Sequence, residues 1–401
     1  MTSETGSVEI REVAGEDRMS TGGPIAGYAF GASPSTPDLD QIRRGEPYRE
    51  KMRTLVAFVD DQPLAALASH EMTQNVRGAV LPMGGVAGVA SMPSGRRRGL
   101  VRHLFERLFE LHRETALPIS SLYPFRDSFY ERLGYASLPS ARFLTVNPEA
   151  LAPLVRLDTP GSCEQVQMQD AFDEWHAFLE RYQRQTHGFA LKHVSNARHW
   201  RDDNAWWVAF ARDDDGEIAG AMTYKITGYG GKMIASTFYT TSALGRYQLL
   251  DWVGRHADQV KEAVIEVAPD DLPETWFRDL NATVRADAED SWVGPMARVV
   301  DVAGLTGIGA GDGEVTLKVQ DHFCPWNDGA FTFRGQGGCL TVSPGGTATS
   351  GISIQGLSAL VFLGADPATF PFRGWGDPDA ATADALRGLF PPVVPDIHET
   401  F

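Results

Sequence analysis

The segment 91–102 constrains the fold of this chain more than any other part of the sequence. It reads Ser-Met-Pro-Ser-Gly-Arg-Arg-Arg-Gly-Leu-Val-Arg and follows an apolar run, 83–90, that has the character of a buried strand. Apolar residues then recur at helical spacing, which predicts a helix over 97–113 with one buried face. The sequence therefore predicts a strand–turn–helix unit with three consecutive arginines at the start of the helix.

These arginines, Arg96, Arg97 and Arg98, indicate an anion site. The first N–H groups of a helix have no intrahelical partner and attract anions, whereas cations at that end are unfavourable unless an anion is present. Guanidinium groups suit phosphate oxygens, and Gly99 would let the backbone approach a pyrophosphate closely. Neither a P-loop nor a dinucleotide-binding glycine pattern occurs. A solvated basic helix start is the alternative interpretation.

The remaining patterns predict a chain of mixed α/β segments. Strands are expected at 55–59 and 63–68, joined by a hairpin turn at Asp60-Asp61-Gln62, and at 119–122, before a helix at 128–133. Residues 148–160 have the composition of a linker. A second mixed segment follows, with helices at 171–184 and 246–257 and strands at 206–211, 219–226 and 232–239. The last part predicts strands at 317–321, 329–333 and 339–342 and helices at 357–363 and 380–389.

Composition limits the class of protein. A chain of 401 residues exceeds what one core usually organises, and its net charge of −16 argues against a nucleic-acid partner. Cys163, Cys324 and Cys339 form no CxxC pair, which indicates a reducing compartment and neither a disulfide framework nor a metal site. No apolar stretch is long enough to span a membrane, and the first residues are polar. We therefore expect a cytoplasmic enzyme without a membrane partner.

The arginine run resembles motif A of the GNAT acetyltransferases, with Arg96 and Gly99 at matching positions, although Val101 stands where the motif has a small residue. The longer string 86–100 is similar to the Eis (enhanced intracellular survival) family, and the likeness extends to Phe-Tyr-Glu-Arg-Leu-Gly-Tyr at 129–135 and to the last residues. It implies tandem GNAT-like domains at 1–150 and 151–290, the second without a cofactor loop, and a sterol-carrier-protein-like α/β domain at 291–401. It also implies a homo-oligomer, in this family a hexamer.

The same resemblance implies acetyl-CoA as co-substrate, and a set of residues that would bind it. The arginine turn and helix start would hold the pyrophosphate, backbone N–H groups near Val89 and Ser91 would polarise the thioester carbonyl, and Phe125-Arg126 would line the pantetheine side. Phe125 could equally serve packing. The expected cofactor-binding residues are Val89, Ala90, Ser91, Arg97, Arg98, Gly99, Leu100, Val101, Arg102, Phe125 and Arg126.

Two groups are expected to carry the chemistry. Tyr130 lies where GNAT enzymes often have a tyrosine near the thioester sulfur, and a phenol with a pKa of about 10 stays protonated and can donate to a thiolate. Tyr123 and Tyr135 are its local competitors, and simple packing is the alternative. In Eis-like proteins the C-terminal carboxylate, here on Phe401, reaches the active site and would accept the amine proton. His398, Glu399 and acidic residues within the chain are alternative bases.

The function expected from the resemblance is acetyl transfer to small-molecule primary amines, with aminoglycosides acetylated at several positions as one candidate. Asp38, Asp40, Glu46 and Glu50 form an acidic cluster that could attract such cations, but they could equally belong to a solvated helix face. Two other functions are open. The chain could acetylate protein lysines, or it could bind acyl-CoA or lipid without catalysis.

Overall fold

The computed structural model describes residues 7–31, 34, 39–157, 159–286, 294–399 and 401. The strands are β1 (Val8–Val13), β2 (Met52–Val59), β3 (Gln62–Val76), β4 (Ala79–Ser91), β5 (Ile119–Leu122), β6 (Ala136–Ser137), β7 (Arg142–Val146), β8 (Ser162–Gln167), β9 (Ala190–Lys192), β10 (Trp207–Arg212), β11 (Ile218–Ile226), β12 (Gly231–Thr240), β13 (Val260–Val267), β14 (Thr283–Arg285), β15 (Met296–Val299), β16 (Gly313–Gln320), β17 (Gly329–Gln336), β18 (Cys339–Pro344) and β19 (Ser350–Ser353).

The α-helices are α1 (Gly15–Asp17), α2 (Gly23–Phe30), α3 (Leu39–Gly45), α4 (Leu100–Glu114), α5 (Asp127–Glu131), α6 (Ala152–Val155), α7 (Met168–Gln185), α8 (Val194–Ala197), α9 (His199–Asp203), α10 (Ala243–Gly254), α11 (Ile354–Leu363), α12 (Phe370–Arg373) and α13 (Ala380–Leu389). The described residues divide into two compact units. One takes in the described parts of Met1–Leu138, Gly294–Val393 and Glu399–Phe401, and the other those of Pro139–Val293 and Val394–His398. Within the described residues, no helix is long and apolar enough to cross a membrane.

The larger sheet of the first unit has the strand order β1-β2-β3-β4-β5-β15-β6. Neighbouring strands are antiparallel except β4 and β5, which run parallel. Because a parallel pair needs a crossover, helix α4 connects β4 to β5 and packs its apolar face on the sheet. The residues that α4 buries are Leu100, Leu104, Phe105, Leu108, Phe109, Leu111 and His112.

The predicted hairpin between β2 and β3 is confirmed. Asp60 and Asp61 have φ angles of 50° and 59°, as both central residues of a type I′ turn require. The strands on either side run longer than the sequence indicated, and β3 and β4 pair from Ala65↔Ser91 to Val76↔Ala79. The arginine turn and helix α4 follow directly after the Ser91 end of this long antiparallel pair.

The C-terminal part of the first unit forms a smaller sheet with the order β18-β17-β16-β19. Strands β16 and β19 are parallel, and α11 lies between Ser353 and Gly364, which cap its two ends. Helix α13 spans the residues that the sequence predicted for it. The mixed α/β fold class predicted from the sequence is therefore confirmed.

The second unit repeats the plan of the first. Its sheet has the order β14-β7-β13-β12-β11-β10-β8, and the only parallel pair among its described strands is β12 with β13. Helix α10 connects those two strands, as α4 connects β4 and β5 in the first unit. A run of antiparallel strands, then a helix, then a parallel strand thus occurs twice in the chain.

The predicted linker at 148–160 is wrong. Residues Pro148–Leu151 form a 3-10 helix that continues into α6, and the Asn147 side chain accepts a hydrogen bond from the Glu149 N–H. Leu151 and Leu154 are buried in the core of the second unit. Pro148 and Pro153 lie in the first turns of these two helices, where proline is well tolerated.

Arg298 of β15 is fully buried in the first unit. Its guanidinium donates to Asp321 Oδ2 at 2.6 Å and to the Leu133 carbonyl, and it lies 4.1 Å from the ring centroid of Phe109. Gly134 is required beside it, since a Cβ there would lie 2.6 Å from the guanidinium. One side chain therefore holds together β15, the end of the α5 segment, helix α4 and the chain after β16.

We predict that Arg298→Met lowers the free energy of unfolding by about 3–5 kcal/mol, because it leaves Asp321 buried without a counter-charge. The matched control is Arg334→Met. Arg334 pairs with Glu314 on the surface, where the two side chains are 62% and 47% exposed, and its loss should cost less than about 1 kcal/mol. Urea denaturation followed by tryptophan fluorescence measures both, and equal losses in the two variants would contradict the prediction.

Candidate functional site

Strands β4 and β5 separate part of the way along β4. Their pairing runs only from Met83↔Ile119 to Val86↔Leu122, whereas β4 continues to Ser91. On its other side β4 stays paired with β3, through a bulge that includes Gly88 at a φ of 59°. The described structure has no strand beside the last residues of β4 on the β5 side. Backbone groups there are placed to hydrogen-bond an extended ligand.

A cleft with a volume of about 1220 Å³ includes this end of β4. It exceeds the roughly 300–1,000 Å³ of ordinary small-molecule pockets, which suits a long ligand. Among the expected cofactor-binding residues, only Arg98 and Arg126 are absent from its lining. Its lining residues are Tyr28, Ala29, Phe30, Val89, Ala90, Ser91, Gly95, Arg96, Arg97, Gly99, Leu100, Val101, Arg102, Phe125, Phe129, Arg132, Leu133, His322 and Phe323.

Helix α4 begins in this cleft. Gly99 is its N-cap, with a φ of 77°, and no side chain caps the helix. The first bond of the helix runs from the His103 N–H to the Gly99 carbonyl at 3.2 Å, so the N–H groups before it lack intrahelical partners. A Cβ at Gly99 would meet no atom within 4 Å, so this glycine serves the left-handed turn and leaves the helix start uncovered.

The arginine turn precedes the helix rather than forming its first residues. Arg97 has a φ of 60°, which ends any helix there, so α4 starts at Leu100 and not at the predicted position 97. Arg96, Arg97 and Arg98 are exposed, and within the described ranges none of them has an ion pair or a side-chain hydrogen bond. Three cations without partners among the described residues, beside free helix N–H groups, make this turn a candidate anion site.

Tyr130 of α5 is 3% exposed and lies behind the wall of the cleft. Its ring contacts Phe125 at 5.7 Å and Phe129 at 5.1 Å between centroids, and both of these phenylalanines line the cleft, whereas Tyr130 itself does not. Burial raises the pKa of Tyr130 above its ordinary value. The phenol therefore keeps its proton at neutral pH and can act as a donor rather than as a base.

Of its two competitors, Tyr135 is the less able to reach a ligand, because it is fully buried and its hydroxyl is 2.8 Å from Ser120 Oγ. Tyr123 is half-buried and contacts the ring of Phe401, with centroids 5.7 Å apart. Phe401 also packs over Gly85, where a Cβ would lie 3.0 Å from the phenylalanine ring. Tyr130, the expected proton donor, thus contacts Phe125. Phe401, which carries the expected acceptor, contacts Tyr123, two residues earlier in the chain.

The alternative base His398 is engaged elsewhere. It belongs to the second unit, where its Nε2 lies 2.6 Å from the Ser236 carbonyl oxygen and 3.6 Å from Glu266. Glu399 belongs to the first unit with Phe401. Among the described residues there is no cluster of three or more His, Cys, Asp or Glu side chains placed to hold a metal ion.

The acidic cluster is largely paired with arginines. Glu46 lies 2.5 Å from Arg18, which is 8% exposed, and Asp40 lies 3.5 Å from Arg43. Asp38 lies outside the described residues. These pairs reduce the field that the cluster presents to a cationic substrate, which favours the interpretation of a charged helix face.

Four aromatic lining residues were missed by sequence reasoning: Tyr28, Phe30, His322 and Phe323. Tyr28 and Phe30 lie at the end of α2, a helix for which no pattern was recognised. His322 and Phe323 lie more than two hundred positions after the arginine turn, and nothing in their local sequence marks a ligand site. Only the folded first unit brings them to the cleft.

The second unit has no equivalent anion site at its matching helix. The Ser242 side chain accepts a hydrogen bond from the Gly245 N–H and so caps the start of α10. No arginine cluster precedes that helix. The position that would receive a phosphate is therefore filled by the chain's own hydroxyl.

Comparisons with known proteins identify two domains in the chain. The family described as acetyltransferase (GNAT) domain matches residues 10–138, and the family described as sterol carrier protein domain matches residues 304–395. The N-acetyltransferase Eis of Mycobacterium tuberculosis is 29% identical over 119 residues. That match spans 28% of this chain and 29% of the relative's length.

Two solved structures show that the fold is shared over the whole chain. A GCN5-related N-acetyltransferase from Anabaena variabilis has a TM-score of 0.83 at 21% identity, covering 98% of this chain and 100% of its own. Eis1 from Mycobacterium abscessus has a TM-score of 0.77 at 19% identity, with the same coverage. The sterol-carrier-like C-terminal domain predicted from the sequence is confirmed, whereas the boundaries 1–150, 151–290 and 291–401 stay predictions. The arginine turn and the strand separation both lie within residues 10–138, so this part of the chain is a GNAT acetyltransferase domain that is similar in sequence to N-acetyltransferase Eis.

Proposed function

We propose that this protein is an acetyl-CoA-dependent N-acetyltransferase that acts on small-molecule primary amines. The observation that carries the proposal is the cleft at the separated end of β4, where an uncapped helix start meets Arg96 and Arg97, neither of which has an ion-pair partner among the described residues. A ligand that fits must have a polyanionic part and an extended chain with amide groups. Coenzyme A has both.

The residues present suit each part of acetyl-CoA. Arg96, Arg97 and the N–H groups at the start of α4 would hold the pyrophosphate. The pantetheine amides would pair with the unpaired edge of β4 from Ala87 onward, in place of the missing strand. Phe125 and Phe129 would flank the pantetheine chain, and the thioester would then lie near Tyr130, whose ring contacts both. Arg98 and Arg126 remain proposed contacts at the edge of the cleft.

In the proposed reaction a neutral amine attacks the thioester carbonyl carbon. The C–N bond forms, and backbone N–H groups near Val89 and Ser91 stabilise the oxyanion. When the tetrahedral intermediate collapses, the C–S bond breaks and Tyr130 donates its proton to the departing thiolate. The Phe401 carboxylate, directly or through water, accepts the proton that the amine loses. The products are the acetamide and coenzyme A.

We further propose that the substrates are polyamines in the broad sense, with aminoglycosides acetylated at several positions as the first class to test. The net charge of −16 favours cationic substrates. A cytoplasmic location and a homo-oligomer, hexameric by the family resemblance, also stay predictions.

Turnover tests the proposal directly. We expect acetyl-CoA-dependent release of thiol with at least one member of a panel of aminoglycosides, polyamines and lysine peptides, and mass spectrometry of the product should show the added acetyl group. Turnover with lysine peptides alone would favour protein acetylation. Lipid binding without acetyl-CoA binding in calorimetry would favour a non-catalytic role. Either of these two results would reject the proposal that the protein acetylates small-molecule amines.

For Tyr130→Phe we predict a fall in kcat of about 10²- to 10⁴-fold, the usual worth of a general acid, with the affinity for acetyl-CoA nearly unchanged. The reason is that the substitution removes the hydroxyl and keeps the ring contacts with Phe125 and Phe129. Tyr135→Phe is the matched control, because its hydroxyl bonds Ser120 and should leave kcat within a few-fold. If Tyr123→Phe abolishes turnover and Tyr130→Phe does not, the assignment to Tyr130 is wrong.

Extension of the chain beyond Phe401 with Gly-Ser-Gly tests the carboxylate. The ring of Phe401 can keep its place over Gly85 and against Tyr123, while the charged group moves away. We predict that kcat falls at least about tenfold while acetyl-CoA still binds. A control with the same tripeptide inserted at the exposed hairpin turn after Gly337 should keep its activity. Unchanged rates in the extended protein would remove the Phe401 carboxylate from the mechanism.

A further inference from the structure

The chain directly after β16 is held rigidly by buried polar contacts. Asp321 Oδ1 accepts hydrogen bonds from the N–H groups of Phe323 at 3.0 Å and Cys324 at 3.2 Å. Its other oxygen, Oδ2, accepts from Arg298 at 2.6 Å and from Asn327 at 3.0 Å. Asp321 is 4% exposed, so the short segment that it organises keeps one conformation. This segment lies in the part of the chain matched by the sterol carrier protein domain.

Two side chains of this segment, His322 and Phe323, line the cleft. The Phe323 ring lies 5.2 Å from the Arg102 guanidinium and 6.3 Å from the Phe109 ring, which it meets edge to face. Arg102 and Phe109 stand on the same side of α4, so Phe323 lies along the flank of that helix. Its contact with Arg102 places it within one turn of the helix start, where the phosphates would bind. His322 is exposed beside it.

We propose that His322 and Phe323 bind the adenosine 3′,5′-bisphosphate half of coenzyme A, so that the C-terminal domain completes the donor site. The inference rests on the proposed function. Pantetheine would occupy the unpaired edge of β4 on one side of the pyrophosphate, so the nucleotide must continue from the phosphates toward the remaining walls of the cleft. Arg102, His322 and Phe323 form one of those walls.

The chemistry of these side chains suits a phosphorylated purine nucleoside. An aromatic ring with a guanidinium lying over it offers flat surfaces on which a purine can stack. An imidazole can donate an N–H to a phosphate oxygen, as can the Arg102 guanidinium, whose Nε is bonded to Glu106 at 2.9 Å. Packing alone would not require that His322 be exposed or that Phe323 line the cleft.

Calorimetry with the full chain distinguishes how much each half of coenzyme A contributes to binding. The probes are coenzyme A, 3′-dephospho-coenzyme A, adenosine 3′,5′-bisphosphate and 4′-phosphopantetheine. We expect Phe323→Ala to weaken binding of coenzyme A and of the bisphosphate about tenfold, the usual worth of one stacked base, and to leave phosphopantetheine unchanged. His322→Ala should weaken coenzyme A by several-fold and reduce the preference for coenzyme A over the dephospho form.

The matched control is Phe372→Ala, because Phe372 is 90% exposed in the same unit and does not line the cleft. Melting temperatures show whether Phe323→Ala disturbs the fold through its lost contact with Phe109, and His322→Ala, an exposed position, tests the proposal without that risk. Equal weakening of phosphopantetheine, or no change in either variant, would overturn the inference and leave the proposed function standing. If the wild-type protein binds coenzyme A in no form, both fail.

Discussion

The ion pair between Arg298 and Asp321 is the contact on which the geometry of the first unit depends. Arg298 comes from a strand added to the sheet late in the chain, and its guanidinium reaches the Leu133 carbonyl, the Phe109 ring and the carboxylate of Asp321. A buried charge is costly unless it is paired, so displacement of any of these groups from Arg298 is unfavourable. The pair thereby couples the segment that carries Tyr130 to the segment that carries His322 and Phe323.

The second constraint is the early end of the pairing between β4 and β5. Where the parallel pair separates, one edge of β4 keeps backbone N–H and C=O groups without strand partners. Unpaired backbone groups cost free energy, and a bound ligand that hydrogen-bonds to them would recover it. The arginine turn at the same place adds repulsion among three cations and opposes the dipole of α4. The end of β4, Arg96 and Arg97 line one cleft, and an extended ligand with both amide groups and anionic groups would relieve both unfavourable features. In the second unit β12 likewise continues beyond its pairing with β13, but Ser242 caps the helix that follows and no arginine turn precedes it.

Much of the candidate cofactor site could be predicted because it is local in sequence. Residues 89–102 form a continuous strand, turn and helix start, so their order along the chain is also their order in space. The helix start was placed three residues too early, since a positive φ at Arg97 leaves no mark in an apolar periodicity. The linker predicted at 148–160 failed for a related reason. Proline breaks a helix interior but begins a helix well, and sequence alone does not say which role it has.

By itself the sequence indicated the candidate anion site and the mixed α/β character of the chain, and a family resemblance supplied the residues proposed for acetyl transfer. Those features depend on composition and spacing over short distances, which the backbone preserves on folding. Only the tertiary structure decided which walls close the cleft, that Tyr130 is buried behind Phe125 and Phe129, and that Phe401 rests on Tyr123 and Gly85. The contacts of Phe401 join residues more than 270 positions apart in the chain. They are selected by burial and by the pairing of charges such as Arg298 with Asp321, and no local pattern records them.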